Sequence, residues 1–324
     1  MSDETRNLSG VILAAGYGER MLPLTTKIPK ALLPVLGTPL LEILVEKLMR
    51  TGAGEIHCNL FHLHARIERF AEGKEWPLRF HLEKELLGTG GGIGNMADDL
   101  ASARAVLLHN GDVLSNVPYE SAIALHDERR SLVTLVLVPS GPAANVAVND
   151  RGEVTAIGAG TLKSSSGERL LGYTGMAVLS PEALSLFPRG QKAALVPILR
   201  EMIRTRPGSV LGWNAAEDLA SWAWGEVGSP AGYLALHRAI LIERFRFDPV
   251  IEVPPFPFHA GEGAVIDPGA RWAGFCEIGR RAVVEREARL ENCVVLDDTV
   301  VPRGSVHSNE ILFPGGTLGG TGGA

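Results

Sequence analysis

The 324-residue sequence predicts an α/β domain built on a mostly parallel sheet, followed by a left-handed parallel β-helix. Three observations predict it. Short apolar runs alternate with amphipathic stretches over residues 1–245, a Pro- and Gly-rich segment then interrupts the pattern, and a period of six begins beyond that break. The length exceeds the usual single-domain size, so a large domain with a smaller one attached is expected.

In the first region, residues 10–15 (GVILAA) read as a buried strand that runs into a long polar, glycine-containing loop. Residues 39–50 have helical spacing, with Leu40, Leu41, Ile43, Leu44, Leu48 and Met49 on the apolar side. Residues 55–60 and 105–109 read as further strands, and 63–70 as a helix. The run 132–138 (LVTLVLV) is apolar on both parities, as in a strand covered on both faces. Strands interleaved with helices imply a mostly parallel sheet in an α/β domain over 1–245.

Residues 246–263 contain DPVIEVPPFPFHAGEG and read as a linker. From 264 to 314 one row of small or apolar residues runs Ala264, Ala270, Cys276, Ala282, Ala288, Val294, Val300, Val306. A second runs Ile266, Trp272, Ile278, Val284, Leu290, Leu296. A six-residue period suits the three flat faces of a left-handed β-helix coil, with both rows pointing inward. The alternative is a small antiparallel β domain with coincidental spacing. Residues 315–324 (GGTLGGTGGA) can bury little and are expected to be flexible.

Bulk chemistry narrows the function. Hydrophobic content of 45% and charged content of 21% fit an ordinary globular protein, and the net charge of −6 argues against broad nucleic-acid or anionic-membrane binding. An anionic ligand must therefore meet a local basic cluster. Cys58, Cys276 and Cys293 are odd in number and lack a CxxC pattern, so a disulfide framework or zinc finger is not expected, and a cytoplasmic location suits them. No apolar run approaches membrane-span length. His57, His62, His64 and His109 show no helical metal spacing, and no histidine metal site is expected.

The local basic cluster is the segment 13–35, LAAGYGERMLPLTTKIPKALLPV, directly after the first strand. The carboxyl end of a parallel strand is where backbone N–H groups cradle phosphates. Gly16 and Gly18 let the main chain approach a nucleotide closely. Arg20, Lys27 and Lys30 supply positive charge, each contact with a phosphate contributing on the order of 1.5–3 kcal/mol. Neither familiar phosphate loop fits: Met21 stands where GxGxxG needs its last glycine, and no GK[ST] follows.

This segment resembles the signature of the sugar-nucleotide pyrophosphorylases, GxGxR[ML]xPLT followed by PKxLxP. The matching residues are Gly16, Gly18, Arg20, Met21, Pro23, Leu24, Thr25, Pro29, Lys30, Leu32 and Pro34. The β-helix tail also recurs in branches of that family, and is most like the mannose-1-phosphate guanylyltransferases. The resemblance implies a Rossmann-like nucleotidyltransferase fold. It implies that residues Leu13, Ala14, Ala15, Gly16 and Gly18 wrap the nucleotide, that Arg20 holds the β- and γ-phosphates, and that Lys30 bridges the reacting phosphates. The stretch 87–93 (LGTGGGI) resembles the family loop that approaches base and ribose through Gly88 and Thr89. Read on its own, it is also a glycine-rich turn entering a helix.

Asn110, Gly111 and Asp112 follow an apolar strand and resemble the family's metal-binding NGD, whose carboxylate would hold Mg²⁺, a hard cation that prefers oxygen ligands. The family's second acidic ligand sits in a pattern close to WxDxGTPxxY. Here Trp224, Gly225, Glu226, Val227, Gly228, Ser229, Pro230 and Tyr233 match it with glutamate for aspartate. The extra methylene displaces the carboxylate by about 1.5 Å. Residues 173–176 (YTGM) resemble the family's sugar-contacting turn, with Gly175 near the hexose, and the resemblance implies that Asn110 and Gly111 also bind the sugar. The acceptor-side lysine common in the family has no match: only Lys163 lies in the corresponding loop, and it is left unassigned.

The implied reaction is Mg²⁺-dependent transfer of a nucleoside monophosphate from an NTP to a sugar 1-phosphate, releasing pyrophosphate, by an oligomer formed through the β-helix. Guanine offers two donors on one edge that a carboxylate such as Glu83 or Glu85 could accept together, which favours GTP over UTP and points to mannose 1-phosphate. TGGGI and the YTG turn also resemble N-acetylmuramate-1-phosphate uridylyltransferases, which leaves UTP open, as is glucose 1-phosphate. A β-helix acyltransferase, and a non-catalytic relative that binds nucleotide-sugars for regulation, are the readings from other classes.

Overall fold

The structure is a computed structural model and describes residues 7–139, 145–158, 162–163, 167–219, 222–247 and 251–320. Strand β1 (Leu8–Leu13) opens the chain. The signature segment behind it winds through three 3-10 turns, Glu19–Met21, Leu24–Thr26 and Lys30–Leu32. A small hairpin, β2 (Pro34–Val35) and β3 (Thr38–Pro39), leads into α1 (Leu40–Arg50). Then follow β4 (Ala53–Leu60), α2 (His64–Ala71), β5 (Leu78–Leu82), α3 (Gly88–Leu100), β6 (Ala105–Asn110), β7 (Val113–Ser115), α4 (Glu120–Arg129) and β8 (Val133–Pro139). The rest of this domain is β9 (Val146–Val148), β10 (Val154–Ile157), β11 (Arg169–Leu179), α5 (Pro181–Leu184), α6 (Leu195–Thr205), β12 (Val210–Asn214), α7 (Ala215–Asp218), β13 (Trp224–Glu226) and α8 (Pro230–Leu241).

Nine strands form one sheet in the order β10-β9-β11-β6-β1-β4-β5, with β8 on β11 and β12 on β8. The pairs β1–β4, β1–β6, β4–β5 and β8–β12 are parallel, and β11 runs against β6, β8 and β9. Only β10 and β11 therefore oppose the other strands, so the sheet is mostly parallel. Alternation along the strands divides the core. Ile12, Leu107 and Val136 face the layer of α1 and α8, while Val11, Leu108 and Leu135 face that of α3 and α6. In α1, Leu40, Leu41, Ile43, Leu44 and Leu48 are fully buried, as the spacing predicts. Gly10 is needed beneath them, because a Cβ there would stand 2.9 Å from Leu48 Cδ1.

The tail contains β14 (Phe258–Ala260), β15 (Val265–Ile266), β16 (Arg271–Ile278), β17 (Val283–Val284), β18 (Arg289–Val295), β19 (Val300–Val301), β20 (Val306–Ser308), β21 (Glu310–Phe313) and β22 (Gly316–Gly319). Successive coils pair in parallel: Arg271 with Arg289 and Arg289 with Val306, Val265 with Val283 and Val283 with Val300. This is the pairing of a β-helix. Corners carry left-handed backbone at corresponding places, as at Gly274, Asn292 and Asn309, where the side chains form a ladder with Asn292 Nδ2 donating to Asn309 Oδ1 at 3.3 Å.

Three expectations change here. The strict six-residue rows hold only as far as Ala288 and Leu290. The next coil is one residue shorter, since Phe258 pairs with Cys276 but Cys276 with Cys293. A one-residue slip in a strand exchanges its faces. The tail's own core therefore takes Cys293, Val295 and Val301, while Val300 and Val306 are 56% and 71% exposed. Val294 and Leu296 point instead into the core shared with α8, and Trp272 is also exposed. The segment 246–263 is more than a linker: Phe247 and Ile251 are buried in the main core, and β14 is already part of the first coil. Residues 316–319, expected to be flexible, form β22 and close a hairpin on β21.

The domains meet on a buried polar cluster. His237 of α8 is ion-paired with Glu277 of β16, whose Oε1 accepts from the Gly37 N–H at 2.9 Å. Burial works to raise the Glu277 carboxyl, but His237, His259 and the Gly37 N–H outweigh it and hold it below the ordinary range. Among the described residues, no helix is long and apolar enough to cross a membrane.

Candidate active site

The carboxyl ends of β1, β4 and β6 frame a cleft of about 270 Å³. Leu13, Ala14, Ala15 and Gly16 form one wall, Gly88 and Thr89 a second, and Asn110, Gly111 and Asp112 the floor, with Lys30 reaching in. Parallel pairing explains the convergence: Leu13 lies beside both Asn59 of β4 and Asn110 of β6. Gly111 donates its N–H to Leu13 O at 2.9 Å, and a Cβ on Gly111 would stand 2.6 Å from that same oxygen.

The basic segment is shaped by Gly18. Its left-handed backbone (φ 70°) brings Thr25 and Lys30 against it, and a Cβ would stand 2.7 Å from Thr25 Cγ2. Thr25 Oγ1 donates back to Gly18 O at 2.9 Å, and His62 Nε2 meets Thr25 O at 2.7 Å. The loop is thus tied to itself and to the turn before α2. Lys30 Nζ, mostly covered, lies 2.9 Å from Asp112 Oδ2.

Asp112 and Glu226 come together because β7 and β13 pair antiparallel, with Glu226 opposite Val113. Val227 N–H also donates to Asp112 O at 2.9 Å. Arg20 Nη1 lies 3.4 Å from Glu226 Oε1. A Cβ on Gly228 would meet Arg20 Nη2 at 2.5 Å and Asp112 Oδ2 at 3.4 Å, so the two cations and two carboxylates form one cluster around that glycine. Two half-exposed carboxylates with oxygen-only donors fit a hard divalent cation, and Lys30 and Arg20 occupy them as counter-charges.

Gly175 takes φ 84° in the irregular stretch of β11 between Tyr173 and Ala177. It packs against Asn110, whose Nδ2 would lie 2.7 Å from a Cβ at 175. Trp224 Nε1 donates to Thr174 O at 2.8 Å and Thr174 Oγ1 to Val136 O at 2.8 Å, which locks the turn. Below it, burial lowers His109 to about 4, partly offset by the Asn110 carbonyl, so a neutral ring underlies the floor. Most of the loop 160–168, where Lys163 lies, is outside the described residues.

Glu83 is the main correction. It is 4% exposed, and both its oxygens are used internally: Oε1 accepts from Asn59 Nδ2 at 2.7 Å and Oε2 from Leu87 N at 2.8 Å. It holds the Gly88 loop and has no free edge for a base. Glu85 is exposed. Asn59, which sequence reasoning missed, completes the tie by accepting from Ala14 N at 2.8 Å. Its only sequence signal is its place at the end of a strand. The glycines after Gly88 are helical and line a packing groove: Cβ atoms on Gly91 and Gly94 would stand 2.2 and 2.1 Å from the carbonyl oxygens of Gln191 and Pro188.

Residues 9–157 match the family model described as Nucleotidyl transferase. The chain is 30% identical over 204 residues to an N-acetylmuramate alpha-1-phosphate uridylyltransferase of Neisseria meningitidis, covering 61% of this chain and 86% of that protein. The chain belongs to the sugar-nucleotide pyrophosphorylases. It is 27% identical over 314 residues to a mannose-1-phosphate guanylyltransferase of Mycobacterium tuberculosis, covering 93% of this chain and 83% of that one. In fold, HddC from Yersinia pseudotuberculosis complexed with GMP-PN is similar, with a TM-score of 0.56 at 22% identity over 70% of this chain and 96% of that chain. As a sugar-nucleotide pyrophosphorylase the protein is a sugar-1-phosphate nucleotidyltransferase.

Proposed function

We propose that the protein transfers GMP from GTP to mannose 1-phosphate, giving GDP-mannose and pyrophosphate. The observation that supports this reading is the likeness to the M. tuberculosis guanylyltransferase, at 27% identity over 93% of the chain, coiled tail included. A UTP–glucose-1-phosphate uridylyltransferase of Synechocystis, 24% identical over 96% of the chain, supports the uridylyl alternative by extent, so the choice of base goes to the assay below. With Glu83 engaged internally, Glu85 is the carboxylate left to accept from a guanine edge.

The reaction is an in-line displacement. An oxygen of the sugar 1-phosphate forms a bond to the α-phosphorus as the bond to the bridging oxygen of pyrophosphate breaks, and the departing oxygens carry the charge. Gly16 and Gly18 let the main chain wrap the triphosphate, Arg20 moves from Glu226 to the β- and γ-phosphates, and Lys30 moves from Asp112 to the oxygens of the reacting phosphate. Gly175, Asn110 and Gly111 seat the sugar. Asp112 and Glu226 would hold Mg²⁺, which when bound supplies charge neutralisation at the phosphates. The glutamate's extra reach is restrained by the strand pairing at Val113 and by Arg20.

Asp112→Asn should abolish pyrophosphate release from GTP and mannose 1-phosphate with an unchanged circular dichroism spectrum. Wild-type turnover by that variant sinks the assignment. UTP consumed much faster than GTP across a panel of sugar phosphates returns the uridylyl-transfer reading, which the 30% identity to the N. meningitidis enzyme favours. We further infer that the tail turns left-handed, from its hexad corners, and mediates self-association. Val265, Val283 and Val300 stand in register on one strip, with Val265 60% exposed and Val300 56%. Three buried free cysteines fit a cytoplasmic setting.

A further inference from the structure

At the outer edge of the large sheet, β4, β5 and α3 bring together three side chains that do not line the cleft. The register sets Asn59 beside His81 and His57 beside Arg79, so His57 and His81 are diagonal neighbours on one face of adjacent strands. Asp99, in the last turn of α3, closes over that face. One ring nitrogen of each histidine and one Asp99 oxygen lie within 4.8 Å of one another. We propose that His57, His81 and Asp99 form a binding site for a zinc-class divalent cation, with water as a fourth ligand.

The facing atoms carry the argument. His57 Nδ1 and His81 Nε2 share a hydrogen bond at 2.9 Å that a bound ion would replace, with the rings stacked at 29° and their centroids 5.1 Å apart. Two nitrogen ligands of a tetrahedral zinc lie about 3.3 Å apart, given bonds of about 2.0–2.1 Å. The pair needs to open by only a few tenths of an ångström. Asp99 is exposed at a helix end with its Oδ2 3.9 Å from His81 Nδ1, the nitrogen on the other side of that ring, so the carboxylate must turn toward the facing pair to complete the set. The fully buried His57 turns its remaining nitrogen, Nε2, toward Glu55 Oε2 at 3.7 Å, and that nitrogen has no hydrogen-bond partner. A carboxylate behind a ligating histidine is the arrangement that fixes ring orientation and raises ligand basicity. Arg79 holds Glu55 in place at 3.2 Å. Burial, followed by the neighbouring ring for His57, lowers both histidines, in the direction of the neutral form that binds a metal.

Imidazole nitrogens with a single carboxylate favour zinc, cobalt or nickel over Mg²⁺, which prefers oxygen. The bound ion would pin edge strand β5 to β4 and to the end of α3. Since β5 ends at Leu82, directly before Glu83, it would stiffen the support of the Gly88 loop without touching substrate.

The test is titration of the chelator-treated full chain with Co²⁺, read by visible absorption, and with Zn²⁺, read by equilibrium dialysis and thermal denaturation. Asp112→Asn serves as a parallel background, to remove the oxygen site in the cleft. About one equivalent of Co²⁺ should give tetrahedral d–d bands in both backgrounds. Zn²⁺ should raise Tm, and His81→Ala should weaken binding at least ~10-fold and abolish the Tm rise. Asp99→Asn, an exposed change that leaves the fold unaltered, should weaken it likewise and decides the matter if His81→Ala does not fold. Absence of the bands with no retained zinc, or unchanged binding in Asp99→Asn, overturns the proposal.

Discussion

Glu83→Gln separates a carboxylate that supports the nucleotide loop from one that reads the base. In the wild type, Glu83 receives two N–H donors, one from Asn59 and one from Leu87, in a site where it is 4% exposed. Glutamine keeps one acceptor oxygen and turns an NH₂ group toward the other donor. One charge-assisted bond is lost, at about 1.5–3 kcal/mol, and a buried donor is left unpaired, at about 1–3 kcal/mol. Asn59 cannot rescue the arrangement by flipping, because its own oxygen accepts from Ala14 N at 2.8 Å. An amide is easier to bury than a carboxylate, which offsets part of the loss. The expected net destabilisation is therefore ~2–4 kcal/mol, a large share of an ordinary domain's stability. Urea denaturation measures it, and KM for GTP and UTP measures the consequence at the cleft. Both KM values should rise together, because the Gly88 loop and the Ala14 wall loosen as one. Unchanged stability with a KM increase confined to GTP refutes the reasoning and restores Glu83 as a base reader.

Two glycine substitutions should part company. Gly94→Ala drives a Cβ to 2.1 Å from Pro188 O and should cost at least ~1–3 kcal/mol in thermal denaturation. Gly16→Ala, with nothing within 4 Å of the new Cβ, should leave Tm unchanged while raising KM for the NTP. Glu277→Ala strips a buried partner from His237 and should cost ~3–5 kcal/mol, visible as faster proteolysis between α8 and β14. His109, held at about 4 by burial, is neutral in the fold while the unfolded chain titrates near 6.5. The unfolded state binds the proton first as pH falls, so this contribution is complete above pH ~6.5 and is lost toward pH ~4 at up to ~1.4 kcal/mol per unit. Denaturation midpoints of His109→Gln should show a correspondingly shallower acid slope than wild type.

Much of the site was legible from local chemistry. Gly16 and Gly18 announce a close-approach loop, Arg20 and Lys30 bring positive charge to an acidic chain, and Asp112 follows an apolar strand. Such signals depend on backbone conformation and periodicity within short windows, and the fold preserves them. The partner of each charge was not legible. That Lys30 meets Asp112 depends on β1 lying beside β6, and that Arg20 meets Glu226 depends on β7 pairing with β13 across more than a hundred residues.

By itself, the sequence determined the alternation that builds the sheet, the glycine-containing basic loop after β1 and the hexad rhythm of the first coils of the tail, because each is written in residues close along the chain. Only the tertiary structure decided four other things. Glu83 supports a loop, a glycine run becomes the packed helix α3, one short coil exchanges the faces of β18, and His57, His81 and Asp99 meet at the sheet edge. The physical reason is common to all four. Hydrogen-bond partners, glycine clearances and side-chain facing follow from register between distant strands, and a shift of one residue in that register reverses them.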